Sequence, residues 1–335
     1  MKTVSILNHV LGPVMRGPSS SHTAGAFHLG RMARSILGGP PRRAVLAFDP
    51  GGSYAATYAP QGADRGFAMG LMAKPLTDQS FFTALPDAAA AGLDLQFEVR
   101  PLARADHPNT VEMDLSAADG RRVNLLARSI GGGEVEIIAV DGRPVLFNGA
   151  AHEVLVELEA AREGAARILL AGDGGLLESP AGAARNGRAQ LTARRRIPLP
   201  ENFRDELKSL DRTARVWESA PVYFVQTGRP LFTSAAEMIQ LAETRGLSLG
   251  RLAAAYEAQL LGLREAQVMA EMLRRWDVMA RSVELGLKPN FTGLQLLPAP
   301  DALVRVNNSA PQLFELYDGD DVQIGDTVCK YFEVP

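Results

Sequence analysis

The sequence holds a single cysteine, Cys329, among 335 residues. No intrachain disulfide can form, and one thiol cannot by itself hold a structural zinc or an iron–sulfur cluster, which take about four ligands. Charge of one sign is lacking too. Against 38 acidic residues stand 35 basic ones, a formal net charge of -3 and too weak a field to recruit nucleic acid or an anionic membrane. No apolar run approaches the roughly 18 residues of a membrane span. The opening MKTVSILNHVLGPVMRG is broken by Asn8 and His9 and shows no small-residue cleavage pattern, so it reads as neither signal nor transit peptide. Internal repeats are missing as well. Together these absences predict a cytoplasmic protein without nucleic-acid or membrane partners, whose function must be argued from local sites.

What is present is an ordinary globular composition, with 46% apolar residues and enough chain for more than one core. Residues 1–150 read as an α+β domain: RRAVLAFDP and LQFEVRPL are short strands, and RRVNLLARSIGGGEVEIIAV is two strands joined at a glycine turn. Over 151–230 the pattern loosens into a connector, with HEVLVELEAAREGA suggesting a helix, ARILLAG a strand and DGGLLESPAGAARNGRAQ a loop. The basic run TARRRIPLP has no interleaved aromatics and reads as a solvated or interface-facing arm. Residues 231–335 read as mainly helical. A capping box opens at Ser234, a helical hairpin breaks near Gly262, and Met269, Leu273, Trp276, Met279 and Ala280 recur at the spacing of a core face. The tail FELYDGDDVQIGDTVCKYFEV reads as a hairpin or irregular strands, its DGDD run as a turn rather than a calcium loop.

Chemistry concentrates in GPVMRGPSSSHTAGA, residues 12–26. Pro18 fixes the approach, and Ser19, Ser20 and Ser21 offer cap hydroxyls for a helix in which Phe27, Met32 and Ile36 share a face. First-turn amides of such a helix lack intrahelical partners and accept a carboxylate or phosphate. One serine suffices for a cap, so the surplus hydroxyls and the titratable His22 point to a small anionic substrate, while a plain capped loop also satisfies them. His107, Asn109 and Thr110 in HPNT place polar side chains at a turn before an alternating strand, where a plain Asx-type turn is the simpler reading and a binding role the other. In SIGGG, the three glycines after Ser129 either let a ligand approach the backbone or simply bend it.

In this order, these stretches resemble the iron–sulfur-dependent L-serine dehydratases, specifically their β chain. LGPVMRGPSSSHTAGA is similar to that family's N-terminal signature, GGSYAATYAPQGADRG to its glycine–serine loop, and HPNT and SIGGG to two further landmarks. More weakly, LFTSAAEMIQLAETRGLSL, YEAQLLG, RRWDVMARSVELGL and TGLQLLP are similar to the opening helices of the α chain, with Glu257 where that helix pair carries a glutamate. The resemblance implies a subunit of a split hydro-lyase that converts L-serine, or a similar small 3-hydroxy amino acid, to pyruvate and ammonia. It implies a [4Fe–4S] cluster on an α-type partner that supplies the missing cysteines, with no metal site in this chain, and it is compatible with homodimerisation. By carry-over His22 and Asp64 would be catalytic. Ser19, Ser20, Ser21, Thr23, Ser53, Gln61, His107, Asn109, Thr110, Ser129, Gly131 and Gly132 would bind the substrate.

The departures matter. Gln61 and Ala63 stand where the family's loop carries a histidine and a threonine, and an amide cannot exchange protons as imidazole does. The same residues are therefore consistent with a non-catalytic protein that binds a small anion or an amino acid, and with a larger or amidated substrate held by Gln61.

Overall fold

The computed structural model describes residues 3–17, 19–286, 321–324 and 327–330. A wide turn, Ser20–Ala24, winds directly into α1 (Gly25–Leu37), and its cap is Ser19, whose side chain accepts the His22 amide. Phe27, Met32 and Ile36 of α1 are buried together against a mixed sheet. That sheet contains β1 (Arg43–Phe48), β2 (Asp94–Val99), β3 (Thr110–Ser116), β4 (Arg122–Gly131), β5 (Glu134–Val140) and β6 (Arg143–Phe147), in the order β2-β1-β3-β4-β5-β6. Only β1 and β2 run parallel, so the chain must cross over between them; it does so through α2 (Ser53–Thr57), α3 (Ala63–Met72) and α4 (Ala84–Ala90). The remaining pairs are antiparallel.

Glycine sets how closely α1 and α3 cross. A Cβ on Gly30 would stand 2.8 Å from the Phe67 carbonyl oxygen, and one on Gly70 would stand 2.3 Å from that of Phe27. Side chains at either position would force the helices apart. Beneath the crossing Phe48, Phe67, Met69 and Met113 are fully buried, each worth about 2–3 kcal/mol of transfer free energy.

Residues 152–219 depart from the expected irregular connector. They build a second sheet, β10-β7-β9-β8, from β7 (His152–Glu159), β8 (Ala181–Arg185), β9 (Arg188–Arg195) and β10 (Arg215–Ser219), with α5 (Glu163–Ala171) and α6 (Phe203–Leu210) enclosing a separate core. HEVLVELE is thus a strand and ARILLA lies in a helix, the reverse of the expectation. A short apolar run fits either period, and here strand pairing on one side and burial of Ala166 and Leu170 one helical turn apart on the other decide it. The expected loop DGGLLESPAGAARNGRAQ supplies β8 and the start of β9. The basic run is a strand and not an arm, and its middle residue turns inward: Arg195 is 1% exposed, donating to the Leu170 carbonyl at 2.8 Å and pairing with Asp173, while Arg196 faces solvent.

Three helices follow, α7 (Ala235–Arg245), α8 (Leu249–Leu261) and α9 (Glu265–Gly286). Ser234 caps α7 as expected, and α8 and α9 separate at Gly262. The expected core face of α9 turns outward: Met269, Leu273 and Trp276 are 44%, 58% and 63% exposed. Its inner face instead carries Val268 and Arg275, one residue out of phase. Arg275 can be buried because its guanidinium meets the carbonyls of Leu7 and Gly12 and the Glu271 carboxylate. From α8, the fully buried Glu257 carboxylate accepts the Ser5 hydroxyl at 2.5 Å and the amides of Ile6 and Leu7 at 2.8 and 2.9 Å. The helical hairpin therefore grips the segment leading to the serine loop. Strands β11 (Asp321–Ile324) and β12 (Thr327–Lys330) pair antiparallel, the hairpin of the two readings the tail allowed. Pro18, GLKPNFTGLQLLPAPDALV after its opening Gly286, and the DGD of the acidic run lie outside the described residues. No described helix is long and apolar enough to cross a membrane.

Candidate functional site

Four loops meet at one end of the six-stranded sheet. The serine loop is held from below by α3, where a Cβ on Gly66 would stand 2.5 Å from the Thr23 carbonyl oxygen. The glycine–serine loop rests on the HPNT turn, the Ser53 amide donating to the Pro108 carbonyl at 2.8 Å, and that turn joins the strand end through Ser129 N to Asn109 O at 3.2 Å. The SIGGG segment closes the set as a two-residue hairpin. Gly132 and Gly133 have φ of +62° and +78°, the pair of left-handed conformations that such a turn requires. The turn is tied back to the helix layer by Gly133 O, which accepts from Tyr223 Oη at 2.6 Å and lies 2.8 Å from His28 Nδ1.

His22 occupies the centre. Its Nδ1 is 2.9 Å from Ser19 Oγ and its Nε2 3.1 Å from Ser53 Oγ. Tyr54 packs edge-on against the ring at 5.0 Å and donates its hydroxyl to Ser21 O. Only 7% of His22 is exposed, and burial lowers its pKa from 6.5 to about 4. The imidazole is therefore neutral at pH 7, with one nitrogen donating and one accepting. Ser19 Oγ already accepts the His22 amide at 3.1 Å, so its own proton is free for Nδ1. That assignment puts the ring proton on Nε2, directed at Ser53 Oγ, and leaves the Ser53 proton free for a ligand.

The other expected residues sort into two groups. Thr23 donates to the Gln61 carbonyl at 2.8 Å, which brings Gln61 beside the serine loop. The side-chain oxygens of Gln61 and Asn109 are buried with no hydrogen-bond partner among the described residues, so each awaits a donor. Ser20 and Ser129 are buried in the same place, and a Cβ on Gly25 would clash with the Ser129 hydroxyl. By contrast, His107 and Thr110 serve their own turn: Thr110 N and Oγ1 both donate to His107 O, and His107 Nδ1 accepts the Asn109 amide. Gly131 and Gly132 face open space. Asp64 lies on the first turn of α3, with Oδ1 accepting the Arg65 amide at 2.7 Å; burial raises its pKa, and among the described residues no hydrogen bond links it to His22. Ala63, beside it, is fully buried.

Sequence reasoning missed Tyr54, His28, Tyr223, Gly25 and Gly66. Tyr54 follows Ser53 directly, and a helix-borne polar ring such as His28, six residues after His22, was the available signal for the second histidine.

A [4Fe–4S] cluster does not fit this chain's own residues. One cysteine cannot supply the thiolates, and among the described residues no three His, Cys, Asp or Glu side chains converge to hold a metal ion.

No protein-family model matches the chain. Over 156 residues it is 40% identical to a probable L-serine dehydratase, beta chain, of Bacillus subtilis (strain 168), covering 47% of this chain and 69% of that protein. Over 148 residues it is 34% identical to the L-serine dehydratase, beta chain, of Peptoniphilus asaccharolyticus, covering 44% of this chain and 66% of that one.

Proposed function

From a chain that belongs to the family of L-serine dehydratase beta chains, we propose a subunit of a serine dehydratase whose four-loop site binds the amino-acid substrate. One observation carries this reading: His22 bridges Ser19 and Ser53, from two separate loops, in a buried neutral network with a hydroxyl proton to spare. The overall reaction removes the α-proton and the β-hydroxyl of L-serine as water, and the resulting aminoacrylate hydrolyses to pyruvate and ammonia.

In this proposal Ser53 donates to the substrate carboxylate, and Ser19, Ser20, Ser21 and Thr23 shape its cradle. The ammonium group offers donors that Gln61 Oε1 and Asn109 Oδ1 lack. A histidine near pKa 4 is a weak base at neutral pH, which suits His22 to relaying and orienting hydroxyl protons rather than abstracting the α-proton. Asp64 stays near the site as a buried carboxyl, and His107 and Thr110 act by shaping the turn that carries Asn109 and Ser53. An α-type partner would bring the cysteines of the cluster, and the exposed apolar face of α9 supports a further protein layer there.

The test is anaerobic co-expression with the cysteine-bearing partner, followed by L-serine binding and pyruvate release. Serine binding that depends on Ser53 together with turnover supports the proposal. Binding without turnover in an intact brown complex favours the alternative, a small-anion or amino-acid binding protein, to which Gln61 in place of a histidine points.

A further inference from the structure

At the opposite end of the same strands lies an open cavity of about 650 Å³. Its floor is two cross-strand rows. Arg43, Ser116 and Arg122 are directly opposed across β1, β3 and β4, and Val45, Asp114 and Asn124 form the next row. Opposed residues project from one face at about 5 Å spacing, so the Arg43 and Arg122 side chains leave the sheet on either side of Ser116. The wall comes from Arg143 on β6 and from Arg215 on β10 of the second sheet.

The cations differ in how far they are satisfied. Arg143 pairs with Glu157, Arg215 with Asp141 at 2.6 Å, and the two guanidiniums sit 5.0 and 4.5 Å from the Trp217 ring centroid, which holds them in place. Arg43 is held loosely and in solvent, 3.5 Å from a half-exposed Asp94 and donating to Gln96 Oε1 at 3.2 Å. The Arg122 side chain has no ion pair or hydrogen bond among the described residues. The two lining carboxylates are already engaged, Asp141 by Arg215 and the Asn124 amide, Asp114 by the Asn124 side chain at 2.7 Å. Arg122 is thus the one lining guanidinium without a partner among the described residues, Arg43 is weakly held at the rim, and the paired Arg143 and Arg215 keep the wall positive.

We propose that this cavity binds a small, multiply charged anion of the phosphate or polycarboxylate class. Arg122 and Arg43 make the charge-assisted contacts, Ser116 adds a donor, and Arg143 and Arg215 supply fixed positive charge from the wall. Its span between two sheets favours a compact ligand over an extended chain.

The test is isothermal titration of the full chain with inorganic phosphate and, separately, with citrate, each against chloride at matched ionic strength. Binding of either, weakened at least fivefold by Arg122→Ala and by Arg43→Ala and partly restored by Arg122→Lys, is the expected result; the tighter anion identifies the source. Far-UV circular dichroism checks that these surface variants keep the fold. No heat beyond the chloride control for either anion, or wild-type affinity in the Arg43→Ala/Arg122→Ala double variant, overturns the proposal.

Discussion

Ser53 Oγ stands 3.1 Å from Nε2 of His22, joining the glycine–serine loop to the serine loop across 31 residues of chain. The contact is made at the foot of α2, whose start is fixed by the Ser53 amide on Pro108 O, so the hydroxyl is aimed by backbone and not by its own rotamer alone. If this hydroxyl is the donor to the substrate carboxylate, Ser53→Ala weakens L-serine binding by about ten- to a hundredfold, the roughly 1.5–3 kcal/mol of a hydrogen bond to a charged group. Ser53→Thr retains part of the affinity. Calorimetry of the assembled enzyme with serine reads both.

Both buried histidines are held neutral, their pKa lowered from 6.5 to about 4 chiefly by burial. The unfolded chain takes up these protons near pH 6.5, so the stability the neutral rings contribute is complete above that value and is lost as the pH falls towards 4. For His28 this amounts to roughly 3 kcal/mol. Glu153 acts in the opposite sense, its carboxyl being raised by burial to about 7: its contribution is full below pH 4.5 and is lost as the pH rises through 7. Imidazole NMR should therefore show His22 and His28 titrating near pH 4. Denaturant unfolding of Glu153→Gln should show a steeper loss of stability between pH 6.5 and 4 than the wild type.

Glu257 satisfies three donors of the Ser5–Leu7 turn from inside the protein. Removing it in Glu257→Ala leaves buried donors unpaired and is expected to destabilise the chain by about 3 kcal/mol. Hydrogen exchange at the Ile6 and Leu7 amides should accelerate well before exchange in β3 and β4. Equal acceleration throughout would mean that the helical hairpin does not clamp the N-terminal segment on its own.

Gly66 lets the serine loop lie against α3. Gly66→Ala places a methyl 2.5 Å from the Thr23 carbonyl oxygen, and the loop has to move while the sheet core stays in place. Serine affinity should fall by more than tenfold with little change in the far-UV circular dichroism. Gly250→Ala, on the exposed side of α8 where an added methyl meets nothing within 4 Å, serves as the comparison.

Much of the N-terminal sheet was legible because alternation and glycine turns speak locally: RRVNLLARSIGGGEVEIIAV is a hairpin whatever it packs against. The second sheet was not legible. Its strand VLVEL sits beside good helix formers, and only pairing with β9 and β10 decides its state. The face of α9 was misread because its inner stripe contains Arg275, a residue that hydropathy assigns to solvent and that is buried here by the carbonyls of Leu7 and Gly12 and by the half-buried Glu271. In the site, hydroxyl-rich loops advertised themselves, whereas the roles of Tyr54 and Gly25 depend on contacts between segments far apart in sequence. His107 and Thr110 show the converse: residue types suited to binding can be consumed by their own turn.

The central claim is that this chain supplies the substrate-binding loops of a serine dehydratase. Its most direct test is anaerobic pyruvate formation from L-serine by the chain purified with the proposed cysteine-bearing partner, with wild-type and Ser53→Ala chains compared. The account predicts pyruvate release from the wild-type complex and a raised KM for serine in the variant. A brown, intact complex that releases no pyruvate, or one whose KM is untouched by Ser53→Ala, would contradict it.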